Sequence, residues 1–298
     1  MVVEKLNKII PGVTVSDENF ASLANVPLGS LQEAMQLNLF IEPEHVSFAL
    51  KNISKNEFVH LQSFDLSAMK TREEKENAIE KLLIENEWLK KNYTDVHVGI
   101  SNHLLTIVPE TFFDSAQPEL YINFNLELPQ HSKIQVDDLK FSSSKLIFAL
   151  SQKTESALRL NYQNCKINHA TTSLLQELSA KADDVVGGTP TTTLHVYVEP
   201  NQVQLIIFSN GKLKFYNCFQ YRSVEDYTYH LLNVCNQLLL DKEKVKVVLL
   251  GEVMKNSDIF NMSYKYIRNV SFGARPDGKN FSAAFNFPEH FYYNLFSL

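Results

Sequence analysis

Leu37-Asn-Leu-Phe-Ile-Glu-Pro-Glu-His-Val-Ser-Phe-Ala-Leu50 aligns without a gap on Leu194-His-Val-Tyr-Val-Glu-Pro-Asn-Gln-Val-Gln-Leu-Ile-Ile207. Four of the 14 positions are identical, the Glu-Pro pair among them, and most of the others exchange one apolar residue for another. After a short turn the match resumes, with Glu57-Phe-Val-His-Leu-Gln-Ser-Phe64 opposite Lys212-Leu-Lys-Phe-Tyr-Asn-Cys-Phe219. Each copy reads as three strands joined by tight turns, because apolar, β-branched and aromatic runs are separated by Glu-Pro, Ser-Lys-Asn or Asn-Gly. Asn210-Gly211 predicts a two-residue hairpin turn.

A helix follows in each copy and opens on a capping signal. Thr71-x-x-Glu74 precedes Ala78, Ile79, Leu82 and Leu83, and Ser223-x-x-Asp226 precedes Tyr227, Leu231, Val234 and Cys235. The hydroxyl accepts a backbone N–H of the first turn, and the acid suits the positive end of the helix dipole. One more strand closes each unit, Asp95–Ile100 and Val245–Leu250. Strand, strand, strand, helix, strand therefore occurs twice. The second copy continues into a helix from about Ser257 and a strand near Val270–Phe272. The first copy carries an extra stretch at about 104–165, expected to be an inserted α+β subdomain. Asp183–Thr193, rich in Gly, Pro and Thr, reads as the crossing between halves. The expected lobes are 1–186 and 192–298.

Composition bounds the function. The 298 residues hold 28 Lys+Arg against 34 Asp+Glu, a net charge of −6, with 44% hydrophobic and 21% charged residues. This is an ordinary globular composition, and its acidic balance offers nothing to a phosphate backbone, so no nucleic acid is expected. No apolar run approaches the roughly 18 residues needed to cross a bilayer. The first residues, Met1-Val-Val-Glu-Lys-Leu-Asn-Lys, show no apolar leader core. The three cysteines form no CxxC pair and read as reduced thiols, so a cytoplasmic protein without membrane insertion is expected.

The duplicated βββαβ unit with an insertion in the first copy resembles the actin-like ATPase fold, an α/β architecture of two ribonuclease-H-like lobes facing a cleft. Lys145–Leu150, a helix, then Lys166–Leu175 is similar to the pilus-assembly and cell-division branch of that superfamily. Phe58–Asp65, Leu105–Phe113, Gly211–Phe219, Ser223–Leu232 and Lys265–Val270 resemble an uncharacterised Bacteroidetes family, a domain of unknown function with an actin-like fold. The resemblance implies architecture and no activity.

That fold binds ATP through two β-turns whose backbone N–H groups hold the phosphates, each usually opened by Asp and followed by small residues. The corresponding turns here are Glu42-Pro43-Glu44-His45 and Glu199-Pro200-Asn201-Gln202. Glu replaces Asp, no glycine is present, and Pro43 and Pro200 lack the N–H donor. Glu42, Glu44 and Glu199 would repel phosphate. Where a glycine pair would receive adenosine, the chain has Leu249-Leu-Gly251-Glu252. A degenerate nucleotide cleft without cofactor is therefore expected. A divergent ATP-binding protein or ATPase of the superfamily is one alternative. A metal-dependent ribonuclease-H-like nuclease using Glu199 and Glu252 is another, but Asp226, its nearest third acid, reads as a helix cap.

No further catalytic or metal motif is present. Gly187-Gly-Thr-Pro190 lacks the lysine of a phosphate loop and reads as a hinge, and His97 and His103 lack a zinc motif. The 20 Phe and 12 Tyr concentrate at the end of the sequence, Phe281–Leu298. Pro288 and Glu289 suit the start of a helix carrying Phe291, Leu295 and Leu298 on one side. That helix either docks on its own domain or, through Phe291 and Leu295, binds a partner. The expected role is a non-catalytic adaptor or scaffold for another protein, with oligomeric state open.

Overall fold

The computed structural model describes residues 12–16, 35–93, 95–181, 185–186, 189–190, 192–209 and 212–298. The Asn210-Gly211 turn and the Gly187-Gly188 pair lie outside them. The first lobe is built on β1 (Gly12–Ser16), β2 (Met35–Ile41), β3 (His45–Asn52), β4 (Glu57–Asp65), α1 (Arg72–Glu85) and β5 (Asp95–Ile100). The insertion follows as β6 (Leu105–Pro109), α2 (Pro118–Asn123), β7 (Ser132–Leu139), β8 (Ser144–Ser151) and α3 (Gln152–Asn161). The chain then returns through β9 (Lys166–His169) and α4 (Ala170–Ala180), and crosses by the short pair β10 (Val185–Val186) and β11 (Thr189–Pro190). The second lobe comprises β12 (Thr193–Val198), β13 (Gln202–Ser209), β14 (Lys212–Gln220), α5 (Val224–Gln237), β15 (Lys246–Gly251), α6 (Asp258–Tyr266) and β16 (Asn269–Phe272). The last elements are β17 (Asn280–Phe281) and α7 (Tyr293–Ser297).

The two large sheets share one topology. The first runs β1-β4-β3-β2-β5-β9, and the second runs β14-β13-β12-β15-β16. In each, the three meander strands pair antiparallel, and the strand after the helix joins the first of them in parallel. Ile41 pairs with Ile100 in one lobe as Val198 pairs with Gly251 in the other. Chance similarity of two amphipathic stretches would not reproduce strand order and register together.

Burial explains the strand composition. Leu37, Leu39 and Ile41 face the α1 side of their sheet, while Phe40 faces the other, and a sheet covered on both faces reads as a continuous apolar run. In the second lobe Leu194, Val196 and Val198 pack with Tyr227 and Leu231 of α5. Tyr197, Ile206, Phe208 and Leu250 instead join the apolar cluster of the first lobe, so the lobes share buried apolar contact.

Thr71 and Glu74 form the full reciprocal capping box of α1. Ser223 likewise accepts from the Asp226 N–H, but the Asp226 carboxylate reaches back one residue further, to the Arg222 N–H at 3.0 Å. The insertion is a three-stranded antiparallel sheet, β6-β8-β7, with α2 and α3. Its edge strand β7 carries no clear burial alternation, which is why it escapes a reading of Lys133-Ile-Gln-Val-Asp-Asp-Leu139.

The end of the chain corrects two expectations. The second lobe does not extend to 298. After β16 the chain crosses back, and β17 pairs in parallel with β4 of the first sheet. Nor does a helix start at Pro288, because Tyr292 adopts a left-handed conformation and α7 begins only at Tyr293. Leu295 is 0% exposed and packs with Phe40, Phe58 and Phe296 on the first sheet. It therefore presents no surface to a partner, and Phe291 is half-buried. The Asn38 amide donates to the carbonyl of Leu295 at 2.9 Å, holding the terminal segment down. The tail closes a core, but that of the first lobe and not its own.

Candidate functional site

Two short turns, one per lobe, meet at the boundary. In the first, the Glu42 N–H donates to the His45 carbonyl at 2.9 Å; in the second, the Glu199 N–H donates to the Gln202 carbonyl at 3.0 Å. Each is a two-residue connection beyond the last ladder pair, Ile41 with Val46 and Val198 with Val203. Residues at the first and fourth positions of such a turn lie directly across from each other, so their side chains share a face. Glu42 thus accompanies His45, and Glu199 accompanies Gln202.

The expected site residues come together in part. Glu42 is 6% exposed and Glu199 1%, and their carboxyls lie within hydrogen-bonding reach of each other across the lobe boundary. Burial, then the charges of Glu199 and Glu252, hold the Glu42 carboxyl well above the usual range. Burial pushes Glu199 up to about 7, against hydrogen bonds from Ser101 and Gln202 that favour its charged form. Glu42 in its protonated form donates to Glu199. Two carboxyls in contact share a proton because a buried pair cannot both ionise cheaply. Pro43 and Pro200 are half-buried at the second turn positions and supply no N–H. Lys75 is the neighbouring cation, its Nζ donating to the Pro43 carbonyl at 2.7 Å.

Around Glu199 a polar network joins the lobes. Ser101 Oγ donates to Glu199 at 2.6 Å, the Gln202 amide donates to the other Glu199 oxygen, and the Tyr221 hydroxyl donates to the Glu199 carbonyl at 2.6 Å. Thr171 at the start of α4 donates to Gln204 of β13 at 2.8 Å, with the Tyr216 hydroxyl beside them. Ser101, Thr171, Gln202 and Gln204 are all buried. This network occupies the boundary at the second turn.

Gly251 and Glu252 stand at the end of β15. Gly251 has φ +83°, and a Cβ there would lie 2.2 Å from the Val198 carbonyl oxygen, so only glycine fits. Its N–H donates to the His290 carbonyl at 2.9 Å, and the His290 ring donates to the Val253 carbonyl at 2.7 Å. The terminal segment thus covers the region where a glycine pair would otherwise receive a ligand. Glu252 is exposed by area yet crowded within the cleft. That crowding raises its carboxyl, Asp65 and Glu44 adding to the effect and His45 opposing it.

Ligand atoms of Glu42, His45 and Glu252 lie within 4.8 Å of one another. Glu199 and Asp226 take no part in that group, and Asp226 is engaged as a helix cap. His97 bonds to Asp95 at 3.0 Å, and His103 meets Gln220 at 3.2 Å. Sequence reading alone missed His45, Ser101 and Gln202. The available signal was the spacing, since first and fourth positions of a two-residue turn face each other.

A family model described as a protein of unknown function (DUF3822) matches residues 30–270. The chain belongs to this family. It has the actin-like ATPase fold: a Bacteroides thetaiotaomicron protein of unknown function with that fold is similar at TM-score 0.73 and 20% identity, over 82% of this chain and 92% of that one. The PilM–PilN type IV pilus biogenesis complex is similar at TM-score 0.52 and 14% identity, over 83% of this chain and 90% of that one. No curated protein matches the sequence. Among the described residues no helix is long and apolar enough to cross a membrane.

Proposed function

We propose that this DUF3822 member is a non-catalytic adaptor or scaffold of the cytoplasm, built on an actin-like fold whose nucleotide cleft is degenerate. One observation carries the reading: Glu42 and Glu199, at the two turns that would hold phosphates, instead meet each other across the lobes. A phosphate placed there would face carboxyl groups and two prolines without N–H donors. The cross-lobe hydrogen bonds of Ser101 and Thr171 further support a boundary that stays closed without ligand.

A protein partner is supported by the inserted subdomain. It presents Phe112, Leu120 and Phe124 to solvent at 74, 60 and 85% exposure, with the Tyr121 hydroxyl donating to the Phe112 carbonyl. Large apolar groups exposed together mark an interaction surface. The similarity to a protein from a pilus-assembly complex agrees with such a role.

Thermal unfolding with millimolar ATP or ADP and magnesium tests the reading, because a ligand preferring the folded state must raise the melting temperature. The expected shift is below about 1 °C. A saturable rise of several degrees would establish nucleotide binding and overturn the proposal.

A further inference from the structure

At the boundary, the side chain that follows β5 in one lobe and β15 in the other reaches the turn of the opposite lobe. Ser101, the residue after β5, meets Glu199 and Gln202 of the second turn. Glu252, the residue after β15, meets Glu42 and His45 of the first. The two sets correspond position by position, since the Ser101 N–H donates to the Ile41 carbonyl and the Glu252 N–H to the Val198 carbonyl, each at 2.8 Å. Duplication has thus produced two versions of one three-residue constellation.

The versions differ in what holds them. Around Glu199 every partner is a donor: the Ser101 hydroxyl and the Gln202 amide satisfy the carboxylate. Around Glu42 the same positions carry an imidazole and a second carboxylate. His45 Nδ1 is buried and has no hydrogen-bond partner, although the ligand atoms of the set lie within 4.8 Å of one another. A cavity of about 390 Å³, lined also by Asp65, Met254 and Tyr292, borders His45 and Glu252 of the set, with Glu42 behind them. Electron-pair donors converging on one point, with acidic groups around them, form the surroundings of a cation.

We propose that Glu42, His45 and Glu252 bind a zinc-type divalent metal ion that bridges the two lobes, its fourth position facing the cavity. One imidazole nitrogen and two carboxylate oxygens, the Glu42 proton passing to solvent as the ion binds, match a borderline ion, whereas magnesium prefers oxygen ligands alone. Zinc bonds of about 2.0–2.2 Å place neighbouring ligand atoms roughly 3.3 Å apart. The set has to close from within 4.8 Å, and Glu252, being exposed, is the ligand with room to turn inward. Asp65 pairs with His45 across the β3–β4 ladder and lines the same cavity, the place of an outer carboxylate beside a metal-bound imidazole. The site does not depend on the adaptor role and stands or falls separately from nucleotide binding.

The full chain, stripped with chelator and titrated with Zn²⁺ by calorimetry, is expected to take up one equivalent at micromolar concentration. Co²⁺ in its place gives a visible absorption band, and millimolar Mg²⁺ does not displace it. His45→Ala and Glu252→Gln each weaken binding about 100-fold, and Cys218→Ser leaves it unchanged. The melting temperature of metal-free Glu252→Gln matches that of the wild type, which separates loss of a ligand from loss of fold. Absence of zinc uptake by the wild type, displacement by Mg²⁺, or unchanged binding in both ligand variants overturns the proposal.

Discussion

The two boundary turns descend from one pattern and have reached opposite states. Glu199 sits in a dry, fully bonded setting made by Ser101, Gln202 and Tyr221. Glu42 has the same place in its hairpin, but its companions are His45 and Glu252, and a solvent-reachable cavity lies beside them. Two exchanges of residue type, Gln202 against His45 and Ser101 against Glu252, change donors into groups able to ligate. Backbone geometry supplies the place; side-chain chemistry decides whether that place is closed or able to receive something.

Substitutions can break this comparison, and the largest effect is expected at Gly251. Its counterpart Ile100 carries a side chain because that strand end is extended, whereas Gly251 is left-handed and pressed against the Val198 carbonyl. Gly251→Ala should cost about 4 kcal/mol in denaturant unfolding. Gly278→Ala, also at positive φ but with nothing within 4 Å, should cost about 1 kcal/mol. Equal costs would show that the close approach at Val198 is not what selects glycine.

Next comes Gln202→Leu, which removes the amide donor from the buried Glu199 and should destabilise by about 3 kcal/mol. Loss of a companion carboxylate in the other constellation, Glu252→Gln, should alter metal-free stability by less than about 0.5 kcal/mol. Similar losses at both would remove the distinction between a closed set and an open one.

Acid should act unequally on the lobes. His169, at the end of β9, is fully buried, and burial lowers its pKa to about 4 from 6.5, partly opposed by its bond to the Asn102 carbonyl. The unfolded chain therefore binds this proton first as pH falls. Its contribution to stability is lost between pH about 6.5 and about 4, and is flat below. Relative to His169→Gln, the wild type should lose roughly 3 kcal/mol across that window. Hydrogen exchange should show first-lobe amides opening before those of the second lobe. Parallel pH profiles for the two proteins would refute this.

The smallest contrast is between the capped helices. Thr71→Ala and Ser223→Ala each remove a hydroxyl that accepts a first-turn N–H, at 3.2 Å in both cases. Each should lower stability by about 1 kcal/mol. A much larger loss at one helix would show that its cap also carries lobe packing.

The sequence by itself determined whatever depends on neighbours along the chain. The alternation of Glu57–Phe64, the Glu-Pro turns, the caps at Thr71 and Ser223 and the order of strands all follow from local periodicity and turn chemistry, and their repetition exposed the duplication. Pro43 and Pro200 were legible as missing donors for the same reason: an absent N–H is a property of one residue. Tertiary structure alone decided the rest. Glu42 and Glu252 are 210 positions apart, and no local pattern states that side chains after β5 and β15 reach the turn of the opposite lobe. The tail from Phe281 to Leu298 carries enough apolar surface to close either lobe, and only the end of β4 beyond β1, at Glu57 and Phe58, and the uncovered face of the first sheet choose between them. Burial strength is written in composition, but the surface that receives it is a property of the assembled fold.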